Sequence, residues 1–152
     1  MHERGFVALS ADRKTNIYAY VESDPLRDVD SLGLYTVKSG VPAPSPDIDR
    51  LVTCIETCSN LSLTITSTTD YHGATTLHGR GQAVDLRYPS DADIVLCCAA
   101  RCGAGYGLDE KKHPSRRTTA PHIHLQLPSG RGGRRGDLPS STAKCTPPTC
   151  AP

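Results

Sequence analysis

Apolar and polar residues alternate at period two in Leu61-Ser62-Leu63-Thr64-Ile65-Thr66 and again from His122 to Leu127, as half-buried strands require. A shorter strand is predicted at Gln82 to Arg87. Two other stretches, Asp47 to Asn60 and Ser90 to Cys102, carry helical periodicity. Pro42, Pro44 and Pro46 mark a linker before the first helix, and Gly103 to Gly107 reads as a Gly-rich turn leading into a charged loop. The expected fold class is α+β: a small antiparallel sheet that carries the chemistry, covered on its back by two helices. No internal repeat is visible.

Two regions flank this unit. The segment from Asn16 through Leu34 alternates apolar and polar residues and turns at Asp24-Pro25, which predicts short strands and turns. From Pro128 onward Gly, Pro, Arg and Ser dominate, so residues 128–152 are expected to be loop or partly disordered unless the last two cysteines tie them down. The expected organisation is therefore 1–34, 35–127 and 128–152.

Seven cysteines are many for so short a cytosolic chain, and none forms a C-x-x-C pair, so disulfides are expected. Cys54 and Cys58 lie one turn apart on the first helix, and Cys98 and Cys102 repeat that spacing on the second, so two antiparallel helices could be stapled twice. Cys145 and Cys150 flank Thr-Pro-Pro-Thr and could close a small loop, leaving Cys97 as the odd thiol. Buried free thiols with a loose tail remain the alternative, because pairing cannot be deduced from sequence.

At 152 residues the chain has room for one ordinary domain and a flanking piece. Its formal charge of +1 gives no large field of either sign, so neither nucleic acid nor an anionic membrane is an expected partner. The arginines in Gly130 to Gly136 lack interleaved aromatics for base stacking and read as a solvated loop. No apolar run reaches the roughly 20 residues that span a bilayer. Met1-His2-Glu3-Arg4 opens no apolar signal-peptide core, so export is expected to use another route.

The candidate chemistry lies in Leu77-His78-Gly79-Arg80-Gly81-Gln82-Ala83-Val84-Asp85-Leu86 together with Ala120-Pro121-His122-Ile123-His124-Leu125. A catalytic zinc takes three protein ligands and keeps a fourth position for water, and two imidazoles with one carboxylate would supply that set. His122 and His124 sit two apart on a strand, so both side chains point the same way. Gly79 and Gly81 suggest a turn entering the strand that presents Asp85, and the chain from His78 to Asp85 is long enough for both to face one ion. Alone, a His-x-His also reads as an ordinary surface strand pair.

The H-x-x-G-x-A-x-D pattern of His78 to Asp85, followed by H-x-H at His122 to His124, resembles the metallopeptidase group that unites D-alanyl-D-alanine carboxypeptidases, lysostaphin-type endopeptidases and the hedgehog signalling domain. Thr76-Leu77-His78, Gly81-Gln82-Ala83-Val84-Asp85 and His122-Ile123-His124 are especially similar to S-L-H, G-R-A-V-D and H-I-H of the hedgehog-like branch, and His72 falls where that branch has a histidine. The resemblance covers residues 61–127. It implies that His78, Asp85 and His124 bind Zn2+, with His122 beside the metal to stabilise an oxyanion or handle a proton.

Many members place a carboxylate three or four residues before the H-x-H or its second histidine, where this chain has Thr118, Thr119, Ala120 and Pro121. Glu110 could substitute if the Lys- and Arg-rich stretch Lys111 to Arg117 folds it back over the site. Otherwise Glu110 is a surface residue, and His122 or His72 must do the proton work. Arg80 reads either as a clamp for a substrate carboxylate or as a solvated arginine, and His113 as a loop residue.

Residues 3–34 resemble the closing stretch of the RHS-repeat core, whose N-[LI]-Y-A-Y-V-x-x-D-P…D-P-x-G-L pattern precedes a variable C-terminal toxin. Asn16-Ile17-Tyr18-Ala19-Tyr20-Val21-Glu22-Ser23-Asp24-Pro25 and Asp30-Ser31-Leu32-Gly33-Leu34 carry that likeness, with Ser31 where the family has Pro. It implies cleavage between Leu34 and Tyr35 and release from an RHS shell. Together the resemblances imply a secreted antibacterial zinc peptidase that cuts peptidoglycan stem peptides or their cross-links in the periplasm of a target bacterium and is countered by a cognate immunity protein. The alternative is a hedgehog-like zinc-bearing binding module without peptidase activity.

Overall fold

A computed structural model of the chain describes residues 35–70, 73–115, 120–129 and 135–145. The RHS-like leader, His72, Thr118, Thr119 and Cys150 lie outside the described residues.

The first helix, α1 (Pro46–Ser59), starts where the sequence supplies every signal for it. Ser45 caps the N-terminus by accepting the Ile48 N–H, Pro46 opens the first turn, and Asp47 and Asp49 place negative charge at the positive end of the helix dipole. Asn60 ends it in the left-handed conformation at φ 55°. The second helix, α2 (Ala92–Arg101), is capped by Asp91, which accepts the Ile94 N–H at 3.0 Å.

Five strands form one mixed sheet: β1 (Thr36–Val37), β2 (Thr64–Ser67), β3 (Ala83–Arg87), β4 (Tyr106–Asp109) and β5 (His122–Gln126), in the order β1-β2-β3-β5-β4. The four longer strands run antiparallel to their neighbours, while the two residues of β1 add to β2 in parallel. The fold is therefore α+β, with a small sheet and two helices.

Strand alternation divides the sheet into two faces. Val84 and Leu86 of β3 and Ile123 and Leu125 of β5 point into a core that they share with Ile48, Val52 and Ile55 of α1 and with Val95, Cys98 and Ala99 of α2. Asp85, His122, His124 and Gln126 alternate to the other, partly exposed face.

The expected double staple is present: Cys54 pairs with Cys102 and Cys58 with Cys98, joining α1 to α2. The expected Cys145–Cys150 loop is not, because Cys145 bonds Cys97, which is therefore not the odd thiol. That bond draws residues 135–145 onto the domain, where Leu138 is buried in the core and Gly136 bridges Gly107. Where a turn and charged loop were expected at 103–110, the chain instead forms β4, the edge strand beside β5.

Candidate metal centre

His78 sits at the end of a tight loop fixed by two glycines. A Cβ on Gly79 would meet the Gly73 carbonyl oxygen at 2.2 Å, and Gly81 has φ +67°, in the left-handed region where side chains are strained. The Ser45 hydroxyl that caps α1 also donates to the Gly81 carbonyl at 2.7 Å, so the helix N-terminus anchors the loop. Its next residues enter β3, whose register sets Asp85 directly opposite His124.

The register builds a row across the sheet: Ser67 opposite Asp85, Asp85 opposite His124, and His124 opposite Leu108. His78 reaches this row from the loop. His78 Nε2 lies 3.2 Å from His124 Nδ1 and 3.3 Å from Asp85 Oδ1, and His124 Nδ1 lies 2.8 Å from Asp85 Oδ1. Zinc–ligand distances of about 2.0–2.1 Å set the edges of a tetrahedral site at about 3.3 Å, which the two His78 separations match and the 2.8 Å between His124 and Asp85 falls short of. The donor set therefore fits a tetrahedral ion with one corner left for solvent, and His78, Asp85 and His124 form a group that could bind a metal.

Hydrogen bonds aim these ligands. The His78 Nδ1 lies 2.7 Å from the Thr68 carbonyl oxygen, which can only accept, so Nδ1 carries the proton and Nε2 turns its lone pair to the centre. Thr68 is buried, and its hydroxyl donates to the Pro42 carbonyl at 2.8 Å. Burial disfavours charge on His78, but the hydrogen bond and charge of Asp85 outweigh it and hold the imidazole above its ordinary pKa. Burial would raise Asp85, yet the hydrogen bonds and charges of His124 and His78 prevail and hold its carboxyl far below the usual range.

The two other predicted residues are brought alongside. His122 Nε2 lies 3.7 Å from Asp85 Oδ1 and 3.4 Å from Glu110 Oε1, while its Nδ1 lies 2.8 Å from the Ala120 carbonyl oxygen. Glu110 arrives by a different route from the one expected. It follows β4 directly, and its N–H donates to the His122 carbonyl at 3.1 Å. The turn after it is held by Asp109, a fully buried carboxylate that accepts the N–H groups of Lys111 and Lys112 and the Tyr88 hydroxyl.

Arg80 lies within this loop, between Gly79 and Gly81, and is exposed. His113 pairs with Asp137 at 3.2 Å, away from the centre.

Sequence reasoning missed Thr68, Ser45 and Gln126. Gln126 lies two residues beyond His124 on the same strand face, a spacing that could have found it; its Nε2 is 2.9 Å from His124 Nε2. Nothing in the sequence marks Thr68. A separate cavity of about 620 Å³ lies between α2 and the C-terminal segment, lined by Asp93, Lys112, Asp137 and Lys144, and includes none of the metal-binding group. No protein-family model, curated protein or solved structure matches this chain.

Proposed function

We propose that this chain is a zinc-dependent hydrolase of peptide bonds that acts on peptidoglycan stem peptides or their cross-links. The observation that carries the reading is the triangle of His78 Nε2, Asp85 Oδ1 and His124 Nδ1, with edges of 2.8–3.3 Å, facing a histidine–carboxylate pair. The partly exposed sheet face that holds both groups suits a polymeric substrate better than an enclosed cavity would.

Zinc held by His78, Asp85 and His124 would supply Lewis-acid polarisation of the scissile carbonyl and make a water molecule easier to deprotonate near neutral pH. The chain's own residues handle the protons. His122 donates its Nδ1–H to the Ala120 carbonyl, which leaves Nε2 facing Glu110 Oε1. This pair takes the proton released as water attacks the carbonyl carbon, and returns it to the amine nitrogen as the carbon–nitrogen bond breaks. Glu110 thus stands in for the carboxylate that Thr118 to Pro121 do not provide.

The RHS-like leader and the disulfides extend the reading to biology. An RHS shell would release the domain after Leu34 as an antibacterial toxin, and three disulfides suit the oxidising periplasm of a target cell. A cognate immunity protein would protect the producer.

Metal content of the purified chain, beside His124→Ala and Asp85→Ala, tests the site, and a peptidoglycan digest of the same samples tests the reaction. The expected result is about one zinc per chain, lost in both variants together with released peptide fragments. Zinc without any product, with or without chelator, would favour the binding module. Absence of zinc from the wild type would remove the metal reading altogether.

A further inference from the structure

The second nitrogen of the His124 ring has a specific partner. His124 Nδ1 faces the centre, 2.8 Å from Asp85 Oδ1 and 3.2 Å from His78 Nε2, while His124 Nε2 lies 2.9 Å from Gln126 Nε2. Both ends of the imidazole are therefore engaged. An amide N–H can only donate, so in this arrangement His124 Nε2 accepts and the ring proton sits on Nδ1, shared with Asp85. That tautomer cannot bind a metal through Nδ1, because the ligating nitrogen must offer a lone pair.

We infer that Gln126 is the positioning residue of the metal centre, its side-chain amide holding the His124 ring through Nε2 so that Nδ1 faces Asp85 and His78, and, with the amide oxygen turned to the ring, accepting the His124 Nε2–H that coordination through Nδ1 requires. Glutamine suits both states because one end of its amide donates and the other accepts at nearly the same place. The ring's proton moves from Nδ1 to Nε2 with no net change in protonation at this histidine. A carboxylate here would serve only the loaded state, and an apolar residue neither. Register supports the role: Gln126 lies on β5 between Ala83 of β3 and Tyr106 of β4, so the sheet fixes its backbone beside the ring it orients. Tyr106 also packs edge-on against His124, with ring centroids 6.3 Å apart, and limits the ring's freedom to turn.

This inference rests on the metal reading of the same site, so its test separates the two. Zinc is titrated into ¹⁵N-labelled wild type, Gln126→Leu and Gln126→Glu, reading histidine ring nitrogens by long-range ¹H–¹⁵N correlation and zinc affinity by chelator competition. In the wild type, the His124 proton should move from Nδ1 to Nε2 as zinc binds. Gln126→Leu should weaken zinc binding by roughly 10–100-fold, as loss of an outer hydrogen bond to a ligand does. Gln126→Glu, which keeps an acceptor, should bind zinc at least as tightly as the wild type, a rescue that a purely structural role would not produce. Unchanged affinity in Gln126→Leu, or coordination through His124 Nε2, would overturn the inference while leaving the metal site standing. A wild type that binds no zinc overturns both.

Discussion

Asp85 stands among three imidazoles, with His124, His78 and His122 nitrogens 2.8, 3.3 and 3.7 Å from one carboxylate oxygen. Its neighbours keep it ionised against burial, which is the state a metal ligand needs. Glu110 faces His122, with its Oε1 3.4 Å from His122 Nε2, rather than supplying a member of the His78, Asp85 and His124 group. Glu110→Gln should therefore retain zinc while slowing hydrolysis by roughly 10²–10⁴-fold, as loss of a general base does. Equal activity in Glu110→Gln would shift the proton work to His122 alone. Elsewhere, Glu56 is a buried carboxylate whose Oε1 accepts the Leu63 N–H at 2.5 Å and whose Oε2 has no hydrogen-bond partner among the described residues. Burial raises its pKa above 4.5, against the opposing Leu63 bond. A raised acid favours the protonated fold, so its contribution is full below 4.5 and lost as pH rises through the folded value. Glu56→Gln should accordingly raise the melting temperature at pH 7, by a few degrees for about 1 kcal/mol, and flatten its decline above pH 4.5 in thermal melts across that range.

The ligand loop and β3 show how an element converts sequence into a site. Because a Cβ at Gly79 would strike backbone, Gly79→Ala must move the loop that carries His78 and should lower zinc affinity markedly in the same chelator competition. Gly40 has φ +83° but open space around it, so Gly40→Ala should lose only about 1–2 kcal/mol of stability and keep zinc. Equal zinc affinity in both variants would show that the close approach at Gly79 does not position His78. Gly79 and Gly81 were legible because they punctuate a strand pattern, and so were both helices, whose paired cysteines stand at helical spacing. The His-x-His strand was legible for the same reason: period two alone places His122 and His124 together. β4 was not. Gly105 and Gly107 read as turn residues, yet each is small because the fold presses something against it: a Cβ at Gly105 would meet the Pro128 backbone at 2.6 Å, and one at Gly107 the Leu138 side chain at 2.6 Å. Those neighbours are distant in sequence, as Cys97 is from Cys145, so no local pattern reveals them. Glu110 inherited the same difficulty, since its place beside His122 follows from a strand that the glycines disguised.

At the scale of the whole molecule the disulfides divide into two independent devices. Cys54–Cys102 and Cys58–Cys98 span 48 and 40 residues but join the same two helices. Either alone would restrict the unfolded chain by about 4 kcal/mol, and the second adds roughly 3 because the first has already closed most of the loop. Cys97–Cys145 instead ties the segment of Gly136 and Leu138 to α2, beside the edge strand that leads to Glu110. The Asp137 side chain accepts the Asp109 N–H at 2.8 Å, so this segment also braces the turn next to Glu110. His78, Asp85 and His124 belong to the ligand loop, β3 and β5, which the segment does not carry. Cys97→Ser/Cys145→Ser should therefore lower the melting temperature by roughly 10 °C, and faster amide exchange should be concentrated at 104–110 and 135–145. Zinc affinity should hold while the proposed peptide hydrolysis falls, because the proposed ligands stay in place and Glu110 does not. Exchange that spreads through α1 as well would mean that the C-terminal segment is part of one cooperative unit with the helices, and that Glu110 and the proposed metal ligands cannot be loosened separately.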